Sequence, residues 1–159
     1  HGKALFTGLD AVVRLIPAQP GTGIVFRRSD LPGCPKVVAK TENVQESIRT
    51  TKIGQGEAFV QTTEHLMAAL FACSIDNLII EISGPEVPIF DGSSLPFVEI
   101  IEKAGVLEQN SLKNVYTVDI PCHFSAGDTH LVALPSHEFR ISYTLHYPQS
   151  PYLNSQYFS

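Results

Sequence analysis

The sequence predicts an α+β fold: a two-layer first domain with helices on a sheet, then the opening strands of a second, similar domain. Three observations predict it. Apolar residues recur twice at helical spacing, as Leu66, Ala69, Leu70 and Cys73 and as Phe97, Ile100, Ile101 and Ala104. Short β-branched runs bounded by Gly, Pro and Asn surround them, giving the order strands, helix, strand, helix, strands. The 159 residues are 43% hydrophobic and only 17% charged, a balance that builds a core rather than a disordered chain.

Residues 9–17, "LDAVVRLIP", mix β-branched and polar positions and stop at Pro17, which predicts a strand. "GTGIVFRR" follows a Gln-Pro-Gly turn and is expected to be its hairpin partner. Residues 29–36 are loop. Residues 37–60 scatter Thr, Val and Ile around a Gly-Gln-Gly turn at 54–56, which predicts short strands with a small excursion. The first helix is expected to be capped by Thr62, whose hydroxyl can accept a free first-turn N–H. Glu64 suits the positive end of its dipole.

"IDNLIIEIS" predicts a strand entered through Asp76 and Asn77. In "PEVPIF" two prolines forbid helix. "DGSS" is a turn in which Asp91 bonds the backbone, Gly92 supplies positive φ, and Ser93 or Ser94 caps the next helix. Pro96 sits in the first turn of that helix, where a missing N–H costs nothing, and Gly105 ends it. From Asn114 on, "NVYTVDI", "THLVALP" and "FRISYTLHYP" predict strands. The acidic-polar stretch 107–114 is the expected boundary between a first domain at 1–111 and the beginning of a second at 112–159.

Several function classes are excluded or disfavoured. The net charge is −5 and Lys and Arg total 11, with no basic stripe, so nucleic acid is not an expected partner. No apolar run is long enough for a transmembrane segment; the longest, "NLIIEI", is a buried strand. Cys34, Cys73 and Cys122 form no CxxC pair, which suits a reducing, cytoplasmic compartment. There is no GxSxG elbow, and "GTG" at 21–23 is too short for a phosphate loop. "HGKALFTG" and "LNSQYFS" lack the character of termini and are expected to lie inside a longer chain.

The chemistry-bearing feature is Glu64-His65 at the start of "TEHLMAAL". Adjacent helical residues point about 100° apart, but at a helix N-terminus both can reach one cleft. Imidazole is a preferred zinc ligand, and a neighbouring carboxylate can act as a base toward water. The competing reading is a first-turn carboxylate serving the dipole beside a partly exposed histidine, since one ligand is not a metal site. His123, His130, His137 and His146 lie seven to nine apart in strand-like sequence and lack helical pairing.

The motifs "TTEHLMAAL", "IDN" and "SGPEVPIFDGSSLPFVEII", in that order after "LFTG" and "GTGIVFRRSDL", resemble the UDP-3-O-acyl-N-acetylglucosamine deacetylase family, zinc enzymes of bacterial lipid A synthesis. The resemblance implies two similar α+β domains with helices between two sheets. It implies that Glu64 is the general base and His65 one of three Zn2+ ligands. The substrate would be a UDP-3-O-acyl-N-acetylglucosamine, which loses its N-acetyl group as acetate. An insert would occupy roughly 37–60 beside the active site, with Thr50 and Thr51 touching substrate. The family histidine of a "GLHTG"-like motif is replaced by Phe6 in "LFTG". The remaining zinc ligands and a second catalytic histidine belong to the second domain, the rest of the same polypeptide, and no HxxxD occurs in this sequence. The alternative is a non-catalytic fragment or binding module without a complete metal site.

Overall fold

A computed structural model describes residues 1–159. They fall into two compact units, His1–Lys113 and Asn114–Ser159.

The first unit carries, in chain order, β1 (Gly2–Lys3), β2 (Asp10–Ala11), β3 (Val13–Pro17), β4 (Ile24–Arg28), β5 (Lys36–Val38), β6 (Val44–Gln45), β7 (Lys52–Gln55), β8 (Ala58–Val60), α1 (Glu64–Ala72), β9 (Leu78–Ile82) and α2 (Leu95–Ala104). Its main sheet has the order β3-β9-β4-β5. β3 and β4 are therefore not hairpin partners, as the turn between them suggests. β9 lies between them, antiparallel to β3 and parallel to β4. The sequence of β9 explains why. It alternates with Leu78, Ile80 and Ile82 buried, making it the strand with most to gain from a central position. On the opposite face, Glu81 stands in register between Arg14 and Arg27 and pairs with both guanidinium groups. The exposed pair with Arg14 contributes little and the pair with Arg27 is partly buried; together they mark that face as polar and fix the register.

The core is one cluster. Phe26, Leu78, Ile80 and Ile82 of the sheet meet Leu66, Ala69 and Leu70 of α1 and Phe97 and Ile101 of α2. In α2 the buried face is narrower than the spacing predicts: Ile100 is 48% exposed and Ala104 is also exposed, while Val98 packs against the cluster instead. Residues 44–60 form a separate sheet, β6-β7-β8, whose Ile53 and Val60 join the core. Gly54 (φ 113°) is required there: a Cβ would lie 2.3 Å from the Ala58 carbonyl oxygen. Arg28 is buried, forks onto Asp30 and donates to the carbonyls of Glu57 and Phe59, which ties β4 to this second sheet.

The second unit holds two hairpins, β10 (Cys122–Ala126) with β11 (Thr129–Ala133) and β12 (Tyr143–Tyr147) with β13 (Asn154–Phe158). "NVYTVDI" at 114–120 forms no strand, contrary to its β-branched composition. Almost every residue of this unit is exposed. Two-stranded ribbons without a covered face are marginal in water. Limited proteolysis of residues 1–159 is therefore expected to remove 114–159 first and to leave a resistant core ending near Lys113. Equal resistance on both sides of that point would contradict the division. No helix is long and apolar enough to cross a membrane.

Candidate active site

The approach to α1 is built by backbone pairing. Gln61 donates to the Pro85 carbonyl (2.8 Å) and accepts from Val87 N–H (3.1 Å), which pins residue 61 against the extended segment 85–87. Thr62 then turns into the left-handed region, φ 56°. For a β-branched residue this conformation is strained by about 1–3 kcal/mol and persists only where the surroundings impose it. Thr63 follows, and its carbonyl accepts the first helical bond, from Met67 N–H at 2.9 Å.

Thr62 is not the helix cap. The capping position belongs to Thr63, which makes no side-chain cap bond. The Thr62 hydroxyl is engaged elsewhere, donating to Glu86 Oε1 at 3.0 Å, while its N–H donates to Thr50 Oγ1 at 2.8 Å.

Glu64 and His65 are both half-buried in the first turn of α1. Glu64 Oε2 accepts from the Thr51 N–H at 3.1 Å. The Thr63 hydroxyl donates to the Thr51 carbonyl at 3.3 Å. The fold thus brings Thr50 and Thr51 beside Glu64, although they are thirteen or more residues away from it in sequence. The Thr50 hydroxyl faces that of Thr62 at 3.2 Å. This arrangement can hold a carboxylate in one orientation with its second oxygen available.

A metal tests differently. No group of three or more His, Cys, Asp or Glu side chains is close enough to hold one. His65 fits as a single donor, not as a site. Within the second unit, His123 and His130 stack on each other across the β10–β11 hairpin with ring centroids 5.7 Å apart, and His146 Nδ1 pairs with Ser155 Oγ.

Asp91 keeps its structural role. It accepts from the N–H (2.9 Å) and hydroxyl (2.8 Å) of Ser93, and the Ser93 hydroxyl accepts from Leu95 N–H at the start of α2. Ser94 holds the capping position without a side-chain bond.

Glu86 is the residue that sequence reasoning missed. It is 1% exposed. Its two oxygens accept from Phe6 N–H and Thr7 N–H, both at 2.8 Å, as well as from Thr62. Burial pushes its carboxyl up, but the bonds from the Phe6 and Thr7 backbone and from the Thr7 and Thr62 side chains outweigh it, so the group lies below the ordinary glutamate range. Phe6 contributes its backbone N–H while its ring is half exposed. The available signal was a carboxylate inside "PEVPIF", an otherwise apolar extended run.

A family model described as UDP-3-O-acyl N-acetylglycosamine deacetylase matches residues 1–159. Among curated relatives, the UDP-3-O-acyl-N-acetylglucosamine deacetylase of Chlamydia pneumoniae is 45% identical over 157 residues, covering 98% of this chain and 56% of the relative. The enzyme of that name from Geotalea uraniireducens is 43% identical, covering 98% and 50%. The bifunctional enzyme LpxC/FabZ of Chlorobaculum tepidum is 41% identical, covering 98% and 34%. The chain spans about half the length, or less, of the relatives it matches.

Proposed function

Because this chain belongs to the UDP-3-O-acyl N-acetylglycosamine deacetylase family, we propose that its full polypeptide hydrolyses the N-acetyl group of a UDP-3-O-acyl-N-acetylglucosamine in lipid A synthesis. The products are acetate and the free amine. The observation that carries the residue roles is the Glu64-His65 pair at the start of α1, with Glu64 oriented by the Thr51 N–H.

Glu64 is the general base. One carboxylate oxygen is held by Thr51, and the other takes a proton from water as that water attacks the acetamide carbonyl carbon. The C–N bond then breaks, and the amine leaves with a proton from a second catalytic histidine outside residues 1–159. His65 is one of three zinc donors, and the other two also lie outside residues 1–159. Bound zinc supplies Lewis acidity at the carbonyl oxygen. Thr50 and Thr51, beside Glu64, border the substrate. The three cysteines are unpaired, which suits a cytoplasmic setting.

Two measurements test this reading. The zinc-loaded full polypeptide, given UDP-3-O-acyl-N-acetylglucosamine, is expected to release acetate and free amine in equal amounts; binding without release would leave only a binding module. Residues 1–159 alone are expected to lose zinc readily to a chelator and to show no turnover. Tight zinc retention by this piece would contradict the division of ligands.

A further inference from the structure

We propose that Glu86 is a positioning residue for the Glu64-His65 pair, acting through Thr62. The inference rests on the reading of Glu64 as base. The Glu86 carboxylate bonds to Phe6, Thr7 and Thr62 rather than to either member of the pair. It joins three segments: the loop at Phe6-Thr7, the entry to α1 at Thr62, and its own strand-like segment, which is already bridged by backbone to Gln61 and to Ala4.

Three facts support a role beyond packing. Thr62 holds a strained left-handed backbone two residues before Glu64, and the Glu86 bond is made to its side chain. The Thr62 N–H and hydroxyl both contact Thr50 Oγ1, so holding Thr62 also holds the segment 50–51. Thr51 in turn presents the N–H that orients Glu64. The chain of contacts therefore runs Glu86, Thr62, Thr50-Thr51, Glu64. A carboxylate is needed rather than an apolar side chain because Phe6 N–H, Thr7 N–H and the Thr62 hydroxyl all donate into it. A glutamine in its place would turn an NH2 toward one of those donors.

The test uses the zinc-loaded full polypeptide and the variants Glu86→Gln, Thr62→Val and Thr62→Ser, with kcat and KM measured per folded molecule. Glu86→Gln and Thr62→Val are expected to lower kcat about tenfold to a hundredfold, the scale of a displaced catalytic group, with KM changed by less than about twofold. Thr62→Ser keeps the hydroxyl and is expected to restore kcat to within about twofold of wild type. Independently of turnover, amide exchange at Thr51 is expected to speed up in the first two variants and not in the third.

Wild-type kcat in a folded Glu86→Gln, or in Thr62→Val, would overturn the proposal, as would a Thr62→Ser enzyme as impaired as Thr62→Val. Should Glu86→Gln fail to fold, Thr62→Val against Thr62→Ser decides. Glu64→Ala, run alongside, separates the two levels. If it is inactive while Glu86→Gln is normal, positioning alone fails; if it keeps wild-type turnover, the base reading falls and the positioning role with it.

Discussion

Glu64→Ala is expected to lower turnover of the full polypeptide by about 10²–10⁴-fold, the usual contribution of a positioned general base. Zinc content should stay near wild type, because Glu64 is proposed as a base and not as a ligand. The Thr51 N–H makes the substitution informative. Glu64→Gln retains an amide oxygen that can still accept from Thr51, so the helix start keeps its geometry, yet an amide cannot take the proton. Gln and Ala variants are therefore expected to be similarly inactive. A Gln variant near wild-type activity would mean that the carboxylate works only as a structural acceptor. The matching prediction for the neighbour is a loss of zinc affinity in His65→Ala, read by competition with a chelator.

The second large effect concerns stability. Glu86 is buried, and its bonds from Phe6, Thr7 and Thr62 are charge-assisted. Replacing it by Gln exposes at least one donor to another donor, and is expected to destabilise the first unit by about 2–3 kcal/mol. For a unit of this size that is a fall in Tm of roughly 10 °C. The sign of the pH dependence follows from the lowered carboxyl. A group whose folded value lies below its unfolded one stabilises the fold above the unfolded value and loses that contribution as pH falls through the folded one. Wild-type stability is expected to fall as pH drops below about 4.3, and Glu86→Gln to show a shallower acid decline. Asp30, held low chiefly by its hydrogen bond from Arg28, adds to the same decline in both proteins. An unchanged acid slope in the variant would show that Glu86 does not carry its share.

Much of the fold was legible because it follows from local patterns. The stripe of Leu66, Ala69 and Leu70 and the alternation of β9 each encode one face, and both faces lie in the core. Pro96 and Gly105 bound α2 where their backbone chemistry requires. Pairing was less legible. The turn at 19–21 suggested that β3 and β4 pair, yet β9 separates them, because which strand becomes central depends on burial summed over the whole sheet and not on the nearest turn.

The cap of α1 was missed for a related reason, whereas Ser94 and Gly105 stand at the ends of α2 as expected. Thr62 has the right chemistry for a cap, but the helix begins one residue later, and the Thr62 hydroxyl is turned to donate to a buried carboxylate from a distant segment. Nothing local to Thr62 announces that competitor.

The candidate site divides along the same line. Glu64 and His65 were visible as a pair, and Thr50 and Thr51 through resemblance. The bond from Thr51 to Glu64 and the hub at Glu86 are tertiary, joining residues thirteen to eighty apart in sequence. A glutamate between prolines signals an extended segment and reveals nothing about its partners until the chain is folded.

The central claim is that the start of α1 supplies a base and one ligand to a zinc site. Anomalous diffraction at the zinc edge from the zinc-loaded full polypeptide tests it most directly. An ion is expected about 2.0–2.1 Å from a ring nitrogen of His65, with the Glu64 carboxylate nearby but outside the coordination shell. An ion bound without His65, or ligated by Glu64, would contradict it.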